Sequence, residues 1–325
     1  MPANLTPQYF EAEKRFRNAT TPEEKIQALE EMLAVMPKHK GTDHLQADLR
    51  RKIAKITEEA EKKYATSRKS FTIRKEGAGQ IALTGLPNTG KSLLLASLTN
   101  TSPEVADYPF TTKSPNIGMM PFENIQIQIV DMPAINMSES RIWSNSILRN
   151  ADLLALVVDL TSNPVEQVEI TLRELRKIGI VPANSSDETS EQGLRRQKML
   201  IIGNLADLDL DSEGFKAITS KYAGTFTCIN VSADEKTNLE ELKRQLFDNL
   251  NIIRVHTKSP GAKVDLTDPI ILKKGATVKD AAEAIHKDFK YKLRYSVVWG
   301  SGKFEGQRVG SDHILKDNDI IELHV

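Results

Sequence analysis

The stretch Gly85-Leu86-Pro87-Asn88-Thr89-Gly90-Lys91-Ser92 follows the apolar run Ile81-Ala82-Leu83 and leads directly into Leu93-Leu94-Leu95-Ala96. GxxxxGK[ST] between a strand and a helix is the pattern of a phosphate-binding loop. Its glycines let backbone N–H groups curl around phosphate oxygens, and the helix N-terminus adds its positive end. Lys91 is placed to reach the outer phosphates, and the Ser92 hydroxyl to ligate Mg²⁺. Gly85, Asn88, Thr89, Gly90, Lys91, Ser92 and Leu93 are therefore the candidate phosphate contacts. By average composition, roughly one chain in a hundred of this length carries the pattern by chance, and the strand and helix flanks make chance rarer still.

Outward from this loop the rhythm is strand–helix–strand. Ile125, Ile127 and Ile129 alternate with Gln126 and Gln128, the period of a half-exposed strand. Leu153 to Val158 and Met199 to Ile202 are continuous apolar runs, as in buried parallel strands. A helical segment spans about 165–178, and the polar residues 183–197 read as a loop. These elements predict an α/β domain, a mostly parallel sheet with helices on both faces.

The phosphate loop does not name the base; two later elements do. Asn204-Leu205-Ala206-Asp207 follows the strand Met199-Leu200-Ile201-Ile202-Gly203. A carboxylate at Asp207 accepts from N1–H and the exocyclic amine of guanine, a donor pair that adenine lacks; the competing reading of Asp207 is a turn or helix-cap residue. Cys228-Ile229-Asn230-Val231 then leads into Ser232-Ala233, whose backbone N–H groups can meet the guanine O6. Asp131 ends the Ile125–Val130 strand, where it can hold Mg²⁺ through water. Asp107-Tyr108-Pro109-Phe110-Thr111-Thr112 lies before that strand, and a Thr hydroxyl there completes the Mg²⁺ shell and senses the γ-phosphate. Ser92, Thr112 and Asp131 are the candidate metal ligands. Lys91, Asn88 and Thr112 are the candidate catalytic residues.

Together GLPNTGKS, ADYPFTT, DMPA, NLAD and SA resemble the motifs of the Obg superfamily of GTPases. The C-terminal part narrows the resemblance. Ile253-Arg254-Val255-His256-Thr257-Lys258, Ala276-Thr277-Val278-Lys279-Asp280, Val298-Trp299-Gly300-Ser301 and Val309-Gly310-Ser311-Asp312-His313 are similar to a TGS domain, a small ubiquitin-like β-grasp module, in the version found in the developmentally regulated GTP-binding proteins. This implies an N-terminal helical hairpin in 1–75, a GTPase domain in 76–251 and a TGS domain in 252–325. It also implies GTP and GDP as ligands with Mg²⁺, slow hydrolysis, and a role in translation or on the ribosome.

The chain departs from the family at informative positions. Ala134 stands where DxPG has glycine, and Leu205 replaces the lysine of NKxD. Ile135 occupies the place where many small GTPases orient the attacking water with Gln, and it cannot hydrogen-bond. The resemblance therefore implies that catalysis needs another group. Asn88 either helps hold a K⁺ ion that stabilises charge or only shapes the loop. Two further functions stay open: a guanine-nucleotide-binding module with little hydrolysis, and an RNA- or ribosome-binding scaffold with a vestigial nucleotide site. The inserted domain expected before NLAD is missing.

The 325 residues are ordinary in composition, with 44 basic and 44 acidic side chains and a formal net charge of zero. The zero is uneven. Residues 50–75 carry +7, 76–251 carry −8, and 252–325 carry +3. A basic belt thus precedes an acidic middle, which reads either as a solvated helix face or as an RNA- or ribosome-facing arm. Thr21-Pro22-Glu23-Glu24 forms a capping box ahead of Ile26, Leu29, Leu33 and Met36, and Leu45, Leu49, Ile53, Ile56 and Ala60 make a second stripe. One cysteine, Cys228, excludes a disulfide framework and reads as a buried small hydrophobe. No run is long and apolar enough for a membrane span, and no apolar leader opens the chain, so the expectation is a cytoplasmic protein with no membrane partner. Trp299 and His313 read as packing residues or as contacts to RNA or a regulatory protein.

Overall fold

The apolar run around Ile81 builds the central strand β1 (Gln80–Thr84), buried along its whole length. The computed structural model describes residues 7–19, 22–36, 44–55, 73–99, 104–105, 115–134, 141–184, 193–262 and 264–324. The chain divides into two compact units, Met1–Thr72 and Ile73–Val325.

The first unit contains helices α1 (Pro7–Asn18), α2 (Pro22–Ala34) and α3 (residues 44–55). Leu29 and Met36 of the expected stripe are buried with Leu49, and Leu33, Leu45 and Ile53 pack against them. The hairpin gains a third member, because α1 contributes Tyr9 and Ala12 to the same small core. Thr21 and residues 56–72, a stretch within the basic belt, lie outside the described residues. Within the described part Arg50, Arg51, Lys52 and Lys55 are exposed, and Arg51 pairs with Asp48.

In the second unit β1 is followed by α4 (Lys91–Leu98), β2 (Glu104–Val105), β3 (Asn116–Phe122) and β4 (Ile125–Asp131). Next come α5 (Arg141–Asn150), β5 (Leu153–Asp159), α6 (Pro164–Lys177), β6 (Ile180–Pro182), β7 (Arg195–Gln197) and β8 (Met199–Asn204). The α/β part ends with α7 (Glu213–Tyr222), β9 (Thr227–Asn230) and α8 (Leu239–Leu250). The main sheet has the order β2-β3-β4-β1-β5-β8-β9; β4, β1, β5, β8 and β9 are parallel, and β3 and β2 run antiparallel at one edge. Leucines of α4 and α8 cover one face with Ile81, Leu83, Ala155, Val157, Leu200 and Ile202, while α6 packs on β5 and α7 on β9. The expected P-loop α/β fold is observed.

Three local expectations are corrected. Gln128 is buried (3% exposed) rather than half-exposed, because β4 is an interior strand and the Gln128 amide bonds Gln80 and the Arg74 carbonyl. Residues 195–197 are not loop; β7 pairs in parallel with β6, and buried Gln197 donates to the Ala151 carbonyl. Cys228 is half-buried, since β9 is the outermost strand; burial still pushes its thiol up to about 11, leaving a poor nucleophile at neutral pH.

The C-terminal part is a mixed sheet of β10 (Ile252–Thr257), β11 (Ile270–Lys273), β12 (Tyr295–Trp299), β13 (Gln307–Val309) and β14 (Asp319–His324), with helices α9 (Val278–Ile285) and α10 (Phe289–Lys292). Its order β11-β10-β14-β12-β13, with β10 and β14 parallel, is the β-grasp arrangement expected of a TGS domain. Thr277 and Asp280 form a reciprocal capping box that starts α9.

Arg254 on β10 joins the two sheets. Its side chain is only 4% exposed. It holds Asp317 through Nε at 3.1 Å and Nη2 at 2.7 Å, and reaches Glu123 and Asn124 in the β3–β4 turn. The guanidinium also lies 4.9 Å from the Phe247 ring centre, and that ring stacks on Phe122. Removing one partner of a buried ion pair strands the rest. Because Glu123 and Asp317 are partly solvated, the expected cost of Arg254→Ala is about 2 kcal/mol, read by chemical denaturation. Burial raises Asp317, but hydrogen bonds and charge from Arg254 outweigh it and hold the carboxyl below its ordinary value. A depressed carboxylate stabilises above its unfolded pKa, about 3.9, and that stability is lost as pH falls through the lower folded value. Acid titration of wild type should therefore lose stability below about pH 4, and the loss should shrink in Asp317→Asn.

Candidate functional site

The loop between β1 and α4 lies at the C-terminal end of the central strand, where open α/β sheets bind ligands. Two glycines are required by geometry. Gly85 (φ 151°) passes so close to β5 that a Cβ would stand 2.3 Å from the Val157 carbonyl oxygen. Gly90 (φ 81°) adopts a left-handed conformation, and a Cβ there would stand 2.2 Å from the Asn204 amide nitrogen. Asn88 is exposed, also with positive φ (63°), which Asn tolerates better than most residues.

Lys91 is buried and folds back over the loop. Its Nζ donates to the Leu86 carbonyl at 2.6 Å and lies within 3.4 Å of the Gly85 carbonyl and the Thr89 hydroxyl. Burial lowers its pKa, and the nearby Asp131 charge opposes the shift. Ser92 donates to Asp131 Oδ2 at 2.6 Å, and Asn116 reaches the same oxygen at 3.4 Å. Asp131 is 6% exposed, and its other oxygen, Oδ1, is buried without a hydrogen-bond partner among the described residues. Burial raises its pKa; Ser92, Lys91 and Asn116 offset part of that. An orphaned carboxylate oxygen beside a hydroxyl is a hard oxygen donor set, and it fits a Mg²⁺ ion and its waters.

Asn204 is fully buried and bridges two loops. Its Nδ2 donates to the Thr89 carbonyl at 3.0 Å, and its Oδ1 accepts from the Ala233 backbone N–H at 3.1 Å. The Ala233 N–H expected to face guanine O6 is thus engaged by Asn204 in this state. Ser232 is buried, and its hydroxyl accepts from the Glu235 N–H. The Ala206 N–H donates to the Val231 carbonyl, so the NLAD and SA segments lie side by side. Leu205 has φ 62°, a strained conformation for leucine.

Asp207 is exposed and makes no hydrogen bond among the described residues. The helix-start role that competed for it belongs to Asp209, which accepts the Gly214 and Phe215 N–H groups. The structure therefore gathers Gly85, Asn88, Thr89, Gly90, Lys91, Ser92 and Leu93 in one loop and the first turn of α4. Asp131 and Asn204 touch that loop, with Ser232 and Ala233 beside Asn204. Thr112, Tyr108 and Ile135 lie outside the described residues.

Asn116 is the site residue the sequence reading missed; nothing in the motif spacing pairs it with Asp131, which follows only from the β3–β4 register. In the C-terminal sheet His313 Nε2 meets Ser301 Oγ at 3.1 Å, and Ser301 also donates to Asp319. Asp319 therefore binds the serine and not the histidine, the wrong order for nucleophile activation. It accepts from the Ser301 and Lys316 N–H groups as well and clamps two loops.

Gly90→Ala places a methyl group into the Asn204 amide and strains the backbone. The expected result is a loss of about 2 kcal/mol or more in stability, together with lost nucleotide binding. Denaturation and nucleotide titration of the purified variant check both.

Residues 80–185 match the family described as 50S ribosome-binding GTPase, and residues 253–325 match the TGS domain. An uncharacterized GTP-binding protein of Methanocaldococcus jannaschii is 30% identical over 93% of this chain and 92% of its own length. Developmentally-regulated GTP-binding protein 2 of Mus musculus is 26% identical over 92% of this chain and 98% of its own length. The first alignment spans 365 positions with only 93% of this 325-residue chain in it, so that relative carries internal stretches this chain lacks. The YchF GTPase of Schizosaccharomyces pombe shares the fold, with TM-score 0.51 and 16% identity over 77% of this chain and 99% of its own. With a phosphate loop, a guanine-type NLAD segment and a C-terminal β-grasp module in one chain, the protein belongs to the Obg-related GTP-binding proteins, in the developmentally regulated GTP-binding protein branch.

Proposed function

We propose that this GTP-binding protein is a Mg²⁺-dependent, slow GTPase switch that works with the ribosome or RNA in the cytoplasm. The observation that carries the reading is Asp131 Oδ1, buried beside Ser92 with no partner among the described residues, at the foot of a phosphate loop whose Lys91 is already desolvated. In this reading Lys91 holds the outer phosphates, and Ser92, Asp131 and Thr112 hold Mg²⁺. Bound there, Mg²⁺ neutralises charge on the phosphate oxygens. Asp207 supplies guanine selectivity: it is exposed and without a partner among the described residues, and its neighbour Asp209 takes the capping duty. The three-domain division at residues 75 and 251 goes with this reading.

Slow turnover follows from two positions. Ile135 offers no hydrogen bond to the attacking water. Ala134 is buried, with no left-handed backbone, so a rearrangement that needs glycine's freedom costs more here. The missing catalytic group then comes from K⁺ held with the help of Asn88, or from a partner. These same two residues favour the second reading, a nucleotide-binding module that hydrolyses little. The partner side rests on the exposed cations of residues 50–55 and on the TGS domain.

Titration with GTP, GDP and ATP in Mg²⁺ should show guanine nucleotides binding and ATP failing; equal ATP affinity would sink the base assignment. Asp207→Ala should weaken GTP binding by roughly 100-fold, as two hydrogen bonds to a charged group are lost. Phosphate release should be slow in NaCl and faster in KCl at equal ionic strength or with ribosomes. Equal rates in the two salts remove the K⁺ role, and fast turnover without a partner overturns the slow switch.

A further inference from the structure

Two elements besides its own strand reach Asp131. Ser92 stands in the first turn of α4, and Asn116 opens β3 directly opposite Asp131 in the β3–β4 register. Cross-strand neighbours stand about 5 Å apart at Cβ, which brings the Asn116 amide within reach of the carboxylate. Side chains alternate across a strand, so Asn116, Gly118 and Met120 share one face of β3. That face meets α4, since Met120 shares a core with Leu95. On α4, Ser92, Leu95 and Thr99 follow one another along a single stripe. The two rows lie close together: a Cβ on Gly118 would stand 2.5 Å from Thr99 Cγ2 and 3.0 Å from Leu95 Cδ1. The bare Gly118 lets β3 lie against α4, and Asn116 and Ser92 then reach the same carboxylate oxygen.

That oxygen is Oδ2, with Ser92 at 2.6 Å and Asn116 at 3.4 Å. An ionised carboxylate only accepts, so the nitrogen end of the Asn116 amide is the end that faces it. At 3.4 Å the amide contact is long, as polar contacts of a site commonly are before its ligand is bound. Oδ1 receives no donor among the described residues, although it is buried. A carboxylate left to itself turns broadly about its terminal bond and exchanges its two oxygens. Two donors on one oxygen remove that freedom and leave the other as the free acceptor. Ser92 has a second duty, because its hydroxyl oxygen is the expected metal ligand. Asn116 makes no other side-chain hydrogen bond among the described residues, and its backbone is fixed by β2 on one side and β4 on the other.

We propose that Asn116 is a positioning residue for Mg²⁺ that acts through Asp131, holding Oδ2 so that Oδ1 is presented to the ion and its waters. The proposal rests on the Mg²⁺ reading above and adds to it a residue that touches neither ion nor nucleotide. Groups that orient a metal's ligand change its affinity by roughly 10–100-fold when they are removed.

The test uses the full-length protein, fluorescently labelled GDP and Mg²⁺ as the titrant. Release of the label is timed as free Mg²⁺ is varied, and GDP affinity is measured again in EDTA. Wild type should hold GDP longer as Mg²⁺ rises. Asn116→Leu, close in size and without a donor, should raise the midpoint Mg²⁺ concentration by roughly tenfold or more, with GDP affinity in EDTA unchanged. Asn116→Ala is the second variant should leucine disturb the packing, and chemical denaturation reports whether each variant is folded. An unshifted Mg²⁺ midpoint in a folded variant would overturn the proposal. So would an equal loss of GDP affinity with and without Mg²⁺, which is the mark of packing alone. Release from wild type that ignores Mg²⁺ would remove the Mg²⁺ reading of Asp131 itself, and the role of Asn116 with it.

Discussion

The approach of Gly90 to Asn204 governs the nucleotide end of the molecule. A side chain at position 90 would occupy the space of the Asn204 amide. Without one, Asn204 spans from the phosphate loop at Thr89 to the start of the base segment at Ala233. A fully buried amide must satisfy both its donor and its acceptor, and these two backbone groups do so. The phosphate loop and the base-reading loops, far apart in sequence, are thereby held in register. The Ala206–Val231 hydrogen bond adds a second stitch between the base-reading segments. Asp209 then relieves Asp207 of structural duty.

The β3–β4 hairpin links that end to the C-terminal sheet. Its register runs unbroken from Asn116 opposite Asp131 to Phe122 opposite Ile125. At one end it supplies the buried carboxylate and the Asn116 amide that touches it. At the other, Phe122, Glu123 and Asn124 meet Arg254. A guanidinium 4% exposed is tolerable only because carboxylates and ring faces surround it. Arg254 therefore marks where the second sheet is fastened to the first.

Much of this was legible in the chain. The strand runs at Ile81, Leu153 and Met199 are apolar throughout, which is what parallel strands under helices demand, and they form as read. The glycines and Lys91 of the phosphate loop are legible because backbone approach to phosphate restricts residue type at fixed spacing. Gln128 was misread because alternation reports which side chains are polar, not whether a neighbouring strand offers them a partner. The β6–β7 pair was misread because its residues 195–197, Arg-Arg-Gln, look solvated, while pairing with β6 and the bond from Gln197 to the Ala151 carbonyl hold them. Cys228 was placed too deep because sequence does not say which strand is the edge. Asn116 carries no motif, and nothing in the TGS-like segment around Arg254 announces its partners Asp317 and Glu123.

By itself, then, the sequence determined the local chemistry: a phosphate loop, an aspartate after a strand, and uneven charge behind a net of zero. These depend on residue types a few positions apart, which short-range sterics and hydrogen bonding constrain strongly. The tertiary structure alone decided which distant polar groups satisfy one another. Burial makes an unpaired donor or acceptor costly, so the pairs Asn204–Thr89, Asn204–Ala233, Asn116–Asp131 and Arg254–Asp317 arise from strand order and register. Among the described residues, the buried carboxylate oxygen left over on Asp131 is visible only after its neighbours' partners have been assigned.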